Sequence, residues 1–391
     1  MEIWVRGKML GGSSAVNGMV WNRGPPGVGG PISVKSHPAP SPLAKAWIAA
    51  GAELGLPVKT DHSGPAREGI GPLQWNIDRR GRRVSAARDL LDRAKGRPNL
   101  TIATGARIDR VTIEQGRAVG VSGVRAGEPI AFAAAREVIL SAGSLVSPRI
   151  LQLSGIGPGD VLKAAGVPIV LESPDVGRHM REHILLALNF RLRRWADSDN
   201  RSFSGARLLQ NLARHVVLRS GTLSYGSSEA AAFVRVLEES ARPDTQIMFQ
   251  PYSMARGAGG FAFEKHPGFS LYSFRLRPES EGSVSIGSPD PAAPLIIDPR
   301  YLTVESDRRA VVGAVRYMRK LAAQSALADF VSGETEATAS AQSAEDILAA
   351  YSRWGAAEFH ATATVAWGRP GGDHDALGRI GQVHRAAFAL A

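Results

Sequence analysis

Forty-three glycines and 24 prolines are scattered along the 391 residues with no fixed-period repeat and no low-complexity tract. Glycine loosens and proline blocks a regular hydrogen-bonded run. Punctuation this dense excludes a long coiled coil or a solenoid and leaves a compact fold of many short elements. The length has room for roughly two or three domains with a substantial core. A hydrophobic content of 44% and a charged content of 21% are those of a globular chain, not of a disordered one.

The chain has no cysteine, which removes disulfides, thiolate zinc sites, iron–sulfur clusters and a cysteine nucleophile. A metal would need histidines and carboxylates, and no such site is expected. Met1 to Arg6 carries an early acid and no apolar run, and no window approaches the roughly 18 apolar residues of a membrane helix. A cytoplasmic protein without a membrane span is the default expectation. The 47 Lys and Arg against 36 Asp and Glu leave a net charge of +11, which raises the question of a polyanionic partner. The arginines are scattered and no basic stripe interleaves with aromatics, so nucleic acid is not expected to be a partner.

Arg23 to Pro31 is too rich in glycine and proline for a regular element and reads as an exposed loop. Leu43, Ala46, Trp47, Ala50 and Leu54 recur at helical spacing until Gly55 and Pro57 stop the run. Leu100 to Ala103, Arg107 to Ile113 and Ala118 to Val124 read as a meander of short strands with Gly105, Gly116 and Gly127 between them. Glu137 to Ala142 is apolar throughout its middle, as expected for a strand buried on both faces. A helix is expected after it, with Ser147 as N-cap and Pro148 at the first helical position. Thr245 to Phe249, Gly268 to Leu276 and Ser283 to Ile286 read as further strands, the last as a hairpin arm. Asp307 to Ala323 reads as an amphipathic helix. The fold class is therefore mixed α/β (α+β), with an α/β unit joined to a domain whose sheet is largely antiparallel.

Two segments carry the chemistry. In Arg6-Gly7-Lys8-Met9-Leu10-Gly11-Gly12-Ser13-Ser14-Ala15-Val16-Asn17-Gly18-Met19-Val20, a Gly-Gly-Ser-Ser turn lets backbone and small hydroxyls approach a planar or phosphorylated ligand. Asn17 adds a donor and an acceptor. By itself such a turn is also compatible with a plain structural role. The second segment, Gly143-Ser144-Leu145-Val146-Ser147-Pro148-Arg149-Ile150-Leu151-Gln152-Leu153-Ser154-Gly155-Ile156-Gly157-Pro158, follows the apolar run directly.

Together, and in this order, the two segments resemble the paired signatures of the glucose-methanol-choline (GMC) family of flavin-dependent oxidoreductases. Asp175-Val176-Gly177-Arg178-His179-Met180-Arg181-Glu182-His183 is similar to the family's Val-Gly-x-x-x-x-Asp-His stretch, with Glu182 in place of Asp. Phe359-His360-Ala361-Thr362-Ala363-Thr364-Val365-Ala366-Trp367-Gly368 is similar to its His-Pro-x-Gly-Thr-x-x-Met-Gly. There His360, Thr364 and Gly368 keep their spacing while Ala361, Ala363 and Trp367 depart.

The resemblance implies an FAD-binding, Rossmann-like region over 1–183, incomplete at its start. It implies a β-rich substrate domain over 184–354 and a returning segment over 355–391. It places Met9, Asn17, Gly18, Met19 and Val20 along the flavin and a backbone group of Ile108 at the adenine. Ordinary core packing is the alternative for Met9, Val20 and Ile108. FAD is expected to be held non-covalently, because Val16 stands where some members tether the flavin through a histidine. His360 is expected to take the hydroxyl proton of an alcohol while hydride passes to the flavin, in the manner of a choline dehydrogenase. The substrate is expected to be a small alcohol; which alcohol, which electron acceptor and which oligomeric state stay open. His37, His62, His215 and His266 read as packed or surface residues.

The family's Gly-x-Gly-x-x-Gly fingerprint would precede Met1, and His384 to Ala391 does not continue the family's last flavin-contacting segment; His374 and His384 are poor substitutes for its second catalytic residue. A chain lacking those parts is expected to bind FAD weakly. That leaves a second reading, a catalytically inactive fragment that acts at most as a binding module.

Overall fold

The computed structural model describes residues 4–21, 30, 32–36, 40–64, 66–255 and 262–365. Nearly all of the expected loop at Arg23 to Pro31, together with His37, Trp367, Gly368, His374 and the segment His384 to Ala391, lies outside the described residues. The chain divides into two compact units, Met1–Leu100 with Ile184–Arg277 and Glu305–Glu358, and Thr101–His183 with Pro278–Val304 and Phe359–Ala391. The expected region 1–183 is thus shared between both.

The first unit is built on a seven-stranded sheet with the order Val331–Glu334, Ile184–Leu192, Gly268–Arg275, Thr245–Gln250, Ala230–Val234, Gly69–Pro72, and Ala356–Ala357 pairs with the start of Ile184–Leu192. Every pair is antiparallel. Because successive side chains alternate faces, this register makes two apolar layers. On one face Ala187, Tyr272, Met248 and Ala231 stand in a row across four strands, joined by Phe233, Phe274, Trp75 and Ile77. On the other face the Phe190, Phe269 and Phe249 rings pack in series, and Trp47 stacks on Phe249 at 5.4 Å.

Trp47 belongs to the helix Pro42–Glu53, which begins where the Ser41 hydroxyl accepts from the Ala44 N–H and Pro42 opens the first turn. Gly51 lets this helix close on the sheet, since a Cβ there would lie 2.5 Å from Ile70 Cδ1. The helix Glu305–Ala322 packs beside it, against Gly268–Arg275.

The second unit opens with an antiparallel meander, Ala106–Glu114, Arg117–Arg125 and Glu128–Ala133. Its two turns, Gln115-Gly116 and Ala126-Gly127, have positive φ at both central residues, which is the twist a two-residue hairpin needs. The helix Gly143–Leu153 lies against it. Ser154 Oγ accepts from the Val111 N–H, and Arg110 Nε donates to the Leu153 carbonyl. The hairpin Ser283–Ser285/Ile296–Asp298 completes the unit, antiparallel as expected.

Three expectations are corrected here. Leu100 to Ala103 form no strand and are exposed. Glu137 to Ala142 is not a doubly buried strand: Val138 and Leu140 pack on the meander's core while Ile139 is 55% exposed. The segment takes no strand conformation, and the Ile139 side of it is open to solvent. The helix starts at Gly143, not at Ser147, and Pro148 lies inside it. Glycine at φ +86 permits the sharp entry, and the apolar pattern extends the helix over the proline. The sheets themselves are largely antiparallel and alternate with helices, as the mixed α/β reading requires.

One carboxylate of the first unit is held at a cost. Burial, reinforced by Glu229, pushes the Asp199 carboxyl up to about 6, while its neighbours Ser198 and Asn200 are satisfied by Gly268, Ser253 and Glu264 backbone groups. A raised carboxyl pKa means that ionisation opposes folding. Stability from this group is full below the unfolded value near 4 and is lost as pH rises through about 6. Asp199→Asn is therefore expected to raise the urea midpoint at pH 8, by on the order of 1–2 kcal/mol, and to make no difference at pH 4. Parallel denaturation curves at the two pH values check this.

Candidate active site

The site residues expected from the sequence fall on both units, and each group is described within its own unit. In the first unit, Gly12–Ala15 forms a single 3₁₀ turn entered through Gly11 at φ +90. Gly7 is pressed against this turn, because a Cβ there would sit 2.2 Å from the Gly12 carbonyl oxygen. Gly12 itself has φ +53 and nothing within 4 Å of its missing Cβ, so the turn's outer side is open. Of the two hydroxyls, that of Ser14 is turned inward. Ser14 is buried, donates to the Gly11 carbonyl and accepts from the Ala86 N–H at 2.9 Å, and Ser13 Oγ accepts from the Gly7 N–H at 3.3 Å.

Asn17 Oδ1 accepts from the Met19 N–H at 3.1 Å and from Arg83 Nη1 at 2.7 Å. That brace fixes the side chain and leaves its N–H₂ as the group it can offer a ligand. It also stabilises Met19 at φ +63, a left-handed conformation rare outside glycine. Met19 and Val20 then pack on the sheet face that carries Trp75 and Tyr272. Gly18 is exposed, and Gly226 makes room for its carbonyl: a Cβ at 226 would lie 2.7 Å from it. Met9 and Val16 are both exposed.

In the second unit, Ile108 is half-buried on the meander core where the strand bulges, with Asp109 the extra residue between the pairs Ile108–Gly123 and Arg110–Ser122. His360 is held by three contacts that begin in sequence motifs. The segment 359–365 runs antiparallel to 176–183, with bridges Val176–Val365 and Arg181–Thr362. The Gly177 N–H donates to the Thr364 carbonyl at 2.7 Å, and the Thr362 N–H to the Arg181 carbonyl at 3.0 Å.

The Thr364 hydroxyl donates to the Ser144 carbonyl at 2.6 Å. In a helix that carbonyl would accept from the residue four positions on, which is Pro148 and has no N–H. Thr364 supplies the missing donor. The buried Glu182 carboxylate closes the arrangement, its Oε1 accepting from the backbone N–H of both His183 and His360 at 2.8 Å.

These contacts bring His183 Nδ1 to 3.1 Å from His360 Nδ1, with the rings edge to face at 5.3 Å. Sequence reasoning placed His360 and quoted the Glu182-His183 dipeptide but gave His183 no role. The signal was present in the motif; the pairing was not, because the two histidines are 177 positions apart. Alongside, Glu281 at 2.7 Å and then Asp175 raise the His179 pKa above its ordinary value. They tie the 175–183 segment to the 281–284 chain, where Met180 and Gly282 exchange backbone hydrogen bonds. Phe359 and Ala363, which flank His360, both have positive φ; Ala363 stands where the family motif carries glycine, the residue for which that conformation is free of strain. No cluster of His and carboxylates able to hold a metal occurs among the described residues.

Residues 26–185 and 278–386 match the GMC oxidoreductase family, and the chain belongs to it. It is 33% identical over 371 residues to an oxygen-dependent choline dehydrogenase of Burkholderia ambifaria, covering 82% of this chain and 63% of that protein. The chain therefore spans a little under two thirds of the length of this relative. Its fold is similar to pyridoxine 4-oxidase from Mesorbium loti, with a TM-score of 0.81, 29% identity, and coverage of 96% of this chain and 76% of that one. It is also similar to a formate oxidase of Aspergillus oryzae RIB40 studied for FAD modification, at TM-score 0.82 and 22% identity over 92% of this chain and 74% of that one.

GMC oxidoreductases are FAD flavoproteins, and the residues present fit such a group. The open glycine turn, the braced Asn17 amide and the exposed Met9 and Val16 offer backbone donors, one side-chain donor and apolar cover. The Ser14 hydroxyl is used inside the turn, while the exposed Ser13 hydroxyl accepts from the Gly7 N–H and keeps its own proton to donate.

The Pro148–Ser144–Thr364 contact is testable by a double-mutant cycle. Thr364→Val should destabilise the protein by about 1 kcal/mol through a half-buried carbonyl left without its donor, while Thr364→Ser should cost less. In a Pro148→Ala background, where an N–H can serve Ser144, Thr364→Val should cost measurably less than in the wild type. Urea unfolding of the four proteins reads the coupling.

Proposed function

We infer that this protein is an FAD-dependent oxidoreductase acting on the CH–OH group of a small alcohol, choline dehydrogenase-like in kind, with His360 as the general base. The observation that carries this reading is the contact between the Nδ1 atoms of His183 and His360. When bound, FAD supplies the hydride acceptor. The residues of this chain manage the proton.

A hydrogen bond between two Nδ1 atoms admits one proton. With that proton on His360, its Nε2 is a lone pair able to take the alcohol's proton, and His183 accepts the bond from the resulting imidazolium. His183 is then a positioning residue that selects the tautomer of His360. Glu182 keeps both backbones in place by accepting from their N–H groups. Asn17, Gly18, Met19 and Val20 would line the flavin and Ile108 would meet its adenine. The identity of the relative favours a small alcohol such as choline as the substrate class.

In protein loaded with FAD, His360→Ala is expected to lower kcat by roughly 10²-fold or more with flavin absorbance retained. His183→Leu should lower kcat less and displace the pH at which kcat/KM falls off on the acid side. His183→Asn, whose Oδ1 can accept from Nδ1–H, should restore most of the profile. Unchanged turnover in His360→Ala would reassign that residue to structure, and an unmoved pH profile in His183→Leu would do the same for His183.

The flavin should also be free of any covalent tether, since Val16 offers no nucleophile. Acid precipitation is expected to release all yellow colour into the supernatant, and colour left in the pellet would contradict it.

A further inference from the structure

In the second unit, residues 176–183 run between two neighbouring segments. On one side lies 359–365, which carries His360. On the other lies 282–284, where the Met180 and Gly282 backbones exchange hydrogen bonds at 3.0 and 2.8 Å and the Val284 N–H donates to the Gly177 carbonyl at 2.7 Å. At this second seam the His179 ring is held at both nitrogens. Nδ1 lies 2.7 Å from Glu281 Oε2, and Nε2 lies 3.1 Å from Asp175 Oδ1. Arg181 donates to the other oxygen of Glu281 through Nε and Nη2.

A carboxylate only accepts, so a ring bonded to two of them must present two N–H groups, which only the imidazolium has. A neutral ring has one, and its bare nitrogen would face a carboxylate oxygen. Glu281 first, and then Asp175, hold the His179 pKa above its ordinary value against the opposing pull of burial. The other charged groups lining the cleft beside the ring are Asp160, paired with Arg178 at 3.0 Å, and Asp298 and Arg300 of the hairpin. The backbone at His179 is left-handed, with φ +58, an uncommon conformation for a residue other than glycine and one that its surroundings must hold.

We propose that His179, as an imidazolium, is a positioning residue for the His183–His360 pair: it clasps Asp175 and Glu281 and so fixes the strand that carries Glu182 and His183. Its part in the reaction rests on the reading of His360 as the base. Loss of one proton opens one side of the clasp and frees the strand to shift against 281–284. The shift reaches Glu182, three residues on, whose Oε1 accepts from the His183 and His360 N–H groups. Because folding favours the charged ring, the clasp is closed below the ordinary value of 6.5 and opens as pH rises through the higher folded value.

Hydrogen–deuterium exchange of the full chain, read by mass spectrometry across this pH range and corrected for intrinsic rates, tests the proposal without flavin or turnover. Peptides spanning 176–183 and 359–365 are expected to lose protection in one step above pH 6.5, by roughly fivefold, the scale of one hydrogen bond. Glu281→Gln keeps an acceptor but removes the stronger charge, so the step should move to lower pH. His179→Asn can keep one bond and tolerates a left-handed backbone, so no step should remain. Both side chains are partly exposed, so the variants are expected to fold, which circular dichroism checks. A step that persists in His179→Asn would overturn the proposal in favour of titration of His183 or His360 themselves. Protection at 359–365 that ignores pH would do so too, leaving His179 a structural ion pair. The reading of His360 fails on a different result, unchanged turnover in His360→Ala, which leaves the exchange step and the clasp standing.

Discussion

A proline inside a helix leaves one carbonyl without its partner, and in this protein that vacancy organises the second unit. Pro148 cannot donate to Ser144, and the Thr364 hydroxyl does so instead. A half-buried carbonyl left without its donor costs on the order of 1 kcal/mol, so the helix Gly143–Leu153 and the segment carrying His360 stabilise each other. Once Thr364 is set, the chain before it is constrained as well. It pairs with 176–183 through Gly177 and Arg181, and His360 arrives next to the Glu182-His183 dipeptide.

The remaining clamps are buried polar groups met by backbone. Gln152 sits in the core of the second unit with its Nε2 donating to the Val176 and Val284 carbonyls and its Oε1 accepting from the Ile286 N–H. Gly177 lies at that crossing with φ +84, and a Cβ would fall 2.2 Å from the Val284 carbonyl oxygen. Glu182 makes the same kind of contact one turn of chain later. Such groups are costly when half satisfied and specific when satisfied, so each of them defines one geometry for the two histidines.

The first unit uses a different device. Its sheet buries both faces, one under Trp47 and the helices and the other under Trp75, Met19 and Val20. The glycine turn that precedes Met19 is thereby held by a wide apolar layer, while its outer side stays open.

Local chemistry was enough for much of this protein. Helical spacing located the helices observed at Pro42–Glu53 and Glu305–Ala322, single glycines marked the hairpin turns of the meander, and motif order pointed to the family and put Asn17, Met19 and His360 among the candidates. Each of those signals lies within a few residues of sequence. It failed where an element's state depends on a distant neighbour. Glu137 to Ala142 has the composition of a buried strand, yet strandness needs a partner whose N–H and C=O groups lie alongside. Ser147-Pro148 has the look of a helix start, yet the proline is carried inside because a threonine 216 positions later serves the orphaned carbonyl. The pairing of His183 with His360 is likewise a tertiary fact: proton sharing requires nitrogen atoms about 3 Å apart, and only the folded chain brings them to that distance.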